Sequence, residues 1–359
     1  MKKTFAVLAV IALASSALTA EVTIHARGGG LFVPCANTGA SGADCYSASM
    51  APWGDAPRVG FTVTGNSDNV GFQVDINADG SVMNLGDNRK IWVKPIDMIT
   101  VTIGSFHDNT LRGDAAFGSY NWIREYGAEI GEDAIFTRVS TTESEDDGSI
   151  VTGAGGQGFA VAVRPIDAVY VVAALTGIKG ERLIDLGRNM QIAAGYTLDG
   201  IGQIRAQYKS NSAYVFGTET AGMVEVALKL TMVENLMVDF GFRTWTNHDV
   251  QDETKTVSLY GNYKLEALTL HAIAIYDLNE DDDGYNLGIG ADYAFDGGFG
   301  ISGDVRYTNA IKANAADEVI TFLASVTKGF SNGSIGFGVQ VKLADDTGYA
   351  IPVALEYWF

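Results

Sequence analysis

Residues 335–343 read Ile335-Gly336-Phe337-Gly338-Val339-Gln340-Val341-Lys342-Leu343. Large apolar side chains hold every second position, and Gly, Gln and Lys hold the positions between. Successive side chains of a β-strand point to opposite faces, so this is a strand with one apolar face and one polar face. The same period runs outward through the chain. Ile301, Val305 and Tyr307 oppose Ser302, Asp304 and Arg306, and Leu287, Ile289, Ala291, Tyr293 and Phe295 oppose Asn286 and Asp292. Leu236, Val238, Phe240 and Phe242 oppose Asp239 and Arg243, while Val224, Val226, Leu228 and Leu230 oppose Glu225, Lys229 and Thr231. Nearer the N-terminus, Val70, Phe72, Val74 and Ile76 alternate with Gly71, Gln73, Asp75 and Asn77.

Each segment is about nine to eleven residues long, the length a tilted strand needs to cross a bilayer. Two kinds of connection take turns between them. Short turns fall at Asn66 to Asn69, Pro95 to Asp97, Pro165 to Asp167, Asp199-Gly200, Glu234-Asn235, Glu266, Asp296 to Gly298 and Ser331 to Gly333. Longer polar loops fall at 34–56, 78–88, 140–156, 177–188, 210–221, 247–253, 277–284, 309–317 and 344–349. A soluble β-sandwich also alternates but rarely repeats so evenly for so long. Tight turns at one end and long loops at the other are the pattern of a transmembrane antiparallel up-and-down β-barrel. The fold class expected is all-β, a barrel of about 18 strands within a range of about 16–20, with both termini on the short-turn side. A barrel that wide leaves a water-filled channel, whereas one of about 8 strands fills with side chains.

Composition agrees with this reading. The chain has 359 residues, 47% hydrophobic and 10% aromatic, so it is not a disordered polymer. Its formal net charge of −19 argues against a nucleic-acid partner. Lys2 and Lys3, the apolar run Phe5 to Ala14 and the small-residue stretch Ser15 to Ala20 form a secretory signal peptide over residues 1–20, leaving 21–359 as the barrel. Beyond it the longest near-continuous apolar run is Ala168 to Leu175, where a spanning helix needs about 20 residues.

The last strand reads Ile351-Pro352-Val353-Ala354-Leu355-Glu356-Tyr357-Trp358-Phe359, apolar at alternate positions and ending on an aromatic. This resembles the terminal strand of bacterial outer-membrane barrels, and with the leader and the alternation the whole mature chain resembles a general porin. The resemblance implies an outer-membrane location, with lipid and lipopolysaccharide around the wall. It also implies that Tyr357 and Phe359 belong to the signal read by the barrel-assembly machinery, and it leaves a homotrimer open. The function it implies is passive diffusion of small hydrophilic solutes and ions, with no enzyme activity and no cofactor. The alternative is a surface barrel acting as adhesin or antigen through its acidic loops.

Charges on the polar faces must meet water or one another, since a lysine or arginine facing lipid costs about 2–4 kcal/mol near the midplane. The pore-lining candidates are Arg58, Lys90, Lys94, Arg164, Arg205, Lys229, Asp239, Arg243, Arg306 and Lys342. Residues 107–134 read either as a further hairpin or as a loop folded inward to constrict the channel. That segment carries Asp108, Arg112, Asp114, Arg124, Glu125 and Glu129, six acidic side chains in all against two arginines, which predicts a weak preference for cations. Cys35 and Cys45 lie in the first long loop of an exported chain, where a disulfide is expected over two free thiols. His25, His107, His248 and His271 lack metal-ligand spacing, so no metal site is expected.

Overall fold

The computed structural model describes residues 21–37, 48–50, 58–79, 82–108, 110–111, 123, 150–151, 158–175, 190–216, 219–246, 255–278, 284–309, 318–344 and 347–359. The leader expected over residues 1–20 lies outside them. Eighteen strands form one closed antiparallel barrel. The first six are β1 Glu21–Val33, β2 Arg58–Asn66, β3 Val70–Asp79, β4 Val82–Ile96, β5 Ile99–Ser105 and β6 Gly158–Ile166. Then come β7 Val169–Leu175, β8 Met190–Leu198, β9 Gly202–Phe216, β10 Glu219–Val233, β11 Leu236–Trp245 and β12 Lys255–Leu265. The last are β13 Leu268–Leu278, β14 Gly284–Ala294, β15 Phe299–Thr308, β16 Val319–Phe330, β17 Gly333–Leu343 and β18, whose two halves Gly348–Ala350 and Val353–Trp358 flank Pro352. Each strand pairs with its neighbours in sequence. β1 closes the ring on β18 in the register Arg27↔Trp358 to Phe32↔Val353. Reciprocal bonds between Ala26 and Phe359, at 3.1 and 2.8 Å, seal the seam.

The tight turns stand where the sequence puts them. Asn235 adopts φ 62° between β10 and β11, and Gly297 and Gly298 adopt φ 79° and 80° between β14 and β15, a region that Asn and Gly enter at least cost. The echoing phrases Val93-Lys94-Pro95-Ile96-Asp97 and Val163-Arg164-Pro165-Ile166-Asp167 each end a strand in a bulge, a place where proline, which has no N–H for the ladder, is tolerated. Two stretches expected as loops differ. Residues 78–79 pair with 82–83, and 210–211 and 215–216 pair with 219–222, so these hairpins run on as strands. The alternation used to find strands weakens there because one-sided burial against lipid no longer selects it.

One face of every strand points outward. Ile289 is 64% exposed, and Ile103, Phe337, Ile91 and Leu355 all exceed half. A soluble chain could not leave so much apolar surface in water. Tyr196, Tyr263 and Tyr293 sit on this face near the short turns, and Tyr276, Tyr285 and Tyr307 near the other end. Tyr285 and Tyr293 are eight residues apart on β14, about 27 Å along the strand and about 20 Å along the barrel axis at a tilt of about 40°. Two aromatic girdles bounding an apolar band of that order are the membrane surface of such a barrel.

Candidate functional site

The opposite face of the strands lines the interior, and its charges fall into two sets. Along β9–β15 they are buried and paired. Arg205 reaches across Ala227 of β10 to Asp239 of β11, 3.1 Å away, with both side chains at most 2% exposed. Arg243 bridges Glu225 at 2.7 Å, and Gln207 donates to the same carboxylate. Arg306 holds Asp304 at 3.0 Å, and that carboxylate also meets His271 Nε2 at 3.0 Å. Asp292 lies 3.6 Å from the other ring nitrogen of His271. Lys229 lies beside Asp239 in the β10–β11 ladder, and Lys342 beside Thr321 on β16. Arg27 meets Glu356 at 2.9 Å across the seam.

Along β3–β7 the arrangement is open. Lys90, Lys94 and Arg164 border a cavity of about 750 Å³ with Trp92, Tyr170 and Phe106. Asp108 overhangs it and accepts hydrogen bonds from Tyr170 Oη at 2.5 Å and from the Thr110 N–H at 2.9 Å. The Arg164 guanidinium lies 5.3 Å over the Tyr170 ring. Arg58 belongs to β2 and pairs with Gly29 and Asp79, but its side chain lies outside the described residues.

The segment expected either as a hairpin or as an inward loop adds no stave to the wall, because β5 pairs directly with β6 from Ile99↔Val163 to Gly104↔Gly158. Two of its described residues, Leu111 and Ile123, are buried. Leu111 and Phe106, which just precedes the segment, are each 2% exposed and pack on Ala160, Val172, Ala174 and Ala193 of β6–β8. A Cβ on Gly195 of β8 would lie 2.3 Å from Leu111 Cδ2. Ile123, 1% exposed, packs on Leu31, Val33 and Ala354 of β1 and β18, and its carbonyl accepts from Gln340 Nε2 at 2.6 Å. Gly338 of β17 stands so close that a Cβ there would fall 2.4 Å from Ile123 Cγ2. β8 and β17 are nine strands apart in a ring of eighteen, so Leu111 and Ile123 anchor on opposite walls. Arg112, Asp114, Arg124, Glu125 and Glu129 lie outside the described residues. So does Cys45; Cys35 Sγ lies 3.9 Å from Tyr349 Oη. Phe359 is 70% exposed, and its ring lies 5.8 Å from that of Tyr357. Among the described residues no group of three His, Cys, Asp or Glu side chains is placed to hold a metal ion.

Sequence reasoning passed over Phe106, Leu111 and Ile123, whose covering role follows from contacts with distant strands. One trace of them was visible. The run Ala168 to Leu175 is apolar on both faces, as strands covered on both sides are. Its inner face, Val172 and Ala174, is what Phe106 and Leu111 cover. The spacing of His271 in the sequence shows no partner for it; Asp292 and Asp304 reach it from β14 and β15.

The sequence matches no family profile and no curated protein. Among solved structures, Acinetobacter baumannii OccAB4 aligns over 94% of this chain and 98% of its own, at 8% identity and a TM-score of 0.60. Pseudomonas aeruginosa OpdQ aligns over 95% and 97%, at 11% identity and a TM-score of 0.57. A structure described as a porin aligns over 94% of this chain and all of its own, at 13% identity and a TM-score of 0.53. Such low identity over whole chains establishes the architecture: the protein has the fold of the bacterial outer-membrane porins.

Proposed function

We propose that the protein is a channel of the bacterial outer membrane through which small hydrophilic solutes and ions diffuse passively. The observation that carries this reading is the division of the wall. A closed ring of eighteen strands turns a continuous apolar surface with two tyrosine girdles outward and a polar, partly open surface inward. Passage through such a wall needs no chemistry; lumen width and charge decide what crosses. Residues 107–134 act as the constriction in this reading, supported by the anchoring of Leu111 and Ile123 on opposite walls. The pore-facing charges are then Lys90, Lys94 and Arg164, together with the acidic side chains of that segment.

Recognition of Tyr357 and Phe359 by the barrel-assembly machinery, contact with lipopolysaccharide and assembly into a trimer belong to the same proposal. They rest on the resemblance of the chain and its last strand to porins. Purified protein in a planar lipid bilayer tests the central claim. Stepwise conductance in potassium chloride is expected, and its absence at protein levels that insert into the bilayer would refute it.

A further inference from the structure

We infer that a recess in the inner wall along β15–β18 is a binding subsite for neutral cyclic sugars, an inference that rests on the channel reading. The recess is made by small side chains in register. Gly300, Thr327, Gly336 and Ala354 stand side by side across β15, β16, β17 and β18. Gly329, Ser334 and Glu356 form the next row toward the short turns. Ile123 bounds the recess over Gly336, where a Cβ would lie 3.1 Å from Ile123 Cδ1. With Arg27 and Trp358 these residues border a cavity of about 680 Å³, the size of a ligand pocket.

Among the described residues the charged side chains in its lining are Arg27 and Glu356, and they cancel. Arg27 Nε and Nη2 both donate to Glu356 Oε1, at 3.2 and 2.9 Å. A charged solute would give up hydration here and meet no surplus countercharge. Hydrogen-bonding groups, in contrast, stand open. Among the described residues nothing donates to Glu356 Oε2, and the hydroxyls of Ser302, Thr327 and Ser334 have no hydrogen-bond partner. Thr327 Oγ1 leans over the bare face of Gly300, where a Cβ would stand 3.0 Å away. Hydroxyls both donate and accept, so they match a solute that carries neutral hydroxyls of its own. Trp358 follows Ala354 and Glu356 on the inner face of β18, about 7 Å beyond Glu356 along the strand. The face of its indole is electronegative and meets the positive C–H hydrogens on the flat side of a pyranose ring. An open-chain polyol presents no such flat side.

The test uses the full chain with three probes: glucose, glucuronate, which adds a carboxylate to the same ring, and mannitol, an open chain of similar size. Glucose should change the tryptophan fluorescence of the folded protein in a saturable manner and interrupt the potassium chloride current over the same concentration range. Trp358→Ala should weaken glucose about tenfold and remove the fluorescence change. Thr327→Val, which keeps the shape and deletes the hydroxyl, should weaken glucose roughly fivefold. Lys255→Gln, exposed at the long-loop end of β12, should leave it unchanged. Glucuronate or mannitol binding as tightly as glucose would overturn the assignment, as would a glucose response indifferent to Trp358 and Thr327. A protein that conducts but does not respond to glucose sinks the subsite alone. One that binds glucose without conducting sinks the channel reading and leaves the subsite standing.

Discussion

Ile289 is the sharpest probe of the membrane surface. It lies on β14 four residues from Tyr285 and four from Tyr293, midway between the girdles, and is 64% exposed. Ile301 points the same way from β15 but pairs with Tyr293, at the height of the lower girdle. If the band between the girdles sits in hydrocarbon, arginine at the midplane costs about 2–4 kcal/mol and near the interface about 0–1 kcal/mol. Ile289→Arg should therefore destabilise the barrel by about 2–3 kcal/mol more than Ile301→Arg, roughly a 30- to 150-fold difference in the folding equilibrium. Ser302→Arg, one residue from Ile301 but turned inward, should cost under about 1 kcal/mol. Urea-dependent folding into phospholipid vesicles, followed by tryptophan fluorescence, measures all three. Equal costs for Ile289→Arg and Ile301→Arg would mean that the band meets water or protein at both heights, and the assignment of the outer face to lipid would fall.

Three further outcomes are expected. Gly338→Leu should force Ile123 off β17, since even a Cβ would stand 2.4 Å from its Cγ2, and the single-channel conductance should rise while folding into vesicles is kept; an unchanged conductance would detach Ile123 from the constriction. Joint replacement of Glu125, Glu129, Glu132 and Asp133 by their amides should move the reversal potential in a salt gradient toward anions, and no movement would place that stretch away from the narrowest part of the pore. Denatured, unreduced protein should resist thiol labelling at Cys35 and Cys45 if the two are bridged, a link worth at most about 3 kcal/mol for so short a loop, and labelling of both without reductant would count against the bridge.

What could be read from the sequence follows from what each feature depends on. Strand number and order depend on local signals. Alternation such as Val224 to Leu230 and turns such as Asp296-Gly297-Gly298 are carried by neighbouring residues, so β9 to β17 and the eighteen-fold ring were within reach. The sorting of interior charges into paired and unpaired depends on register between strands. Arg205 meets Asp239 because it lies opposite Ala227, whose small side chain leaves a path to β11, and because Lys229 in turn lies opposite Asp239. No spacing within β9 alone reveals that. Residues 107–134 show the opposite dependence. Their charge points to a constriction, but the packing that supports it is apolar and comes from positions that look unremarkable in sequence: Leu111, Ile123 and the bare backbone of Gly195 and Gly338. Glycine on the inner face of a strand reads as a weak strand former. In the folded wall it is a recess, and two recesses nine strands apart receive Leu111 and Ile123 on opposite sides of the lumen.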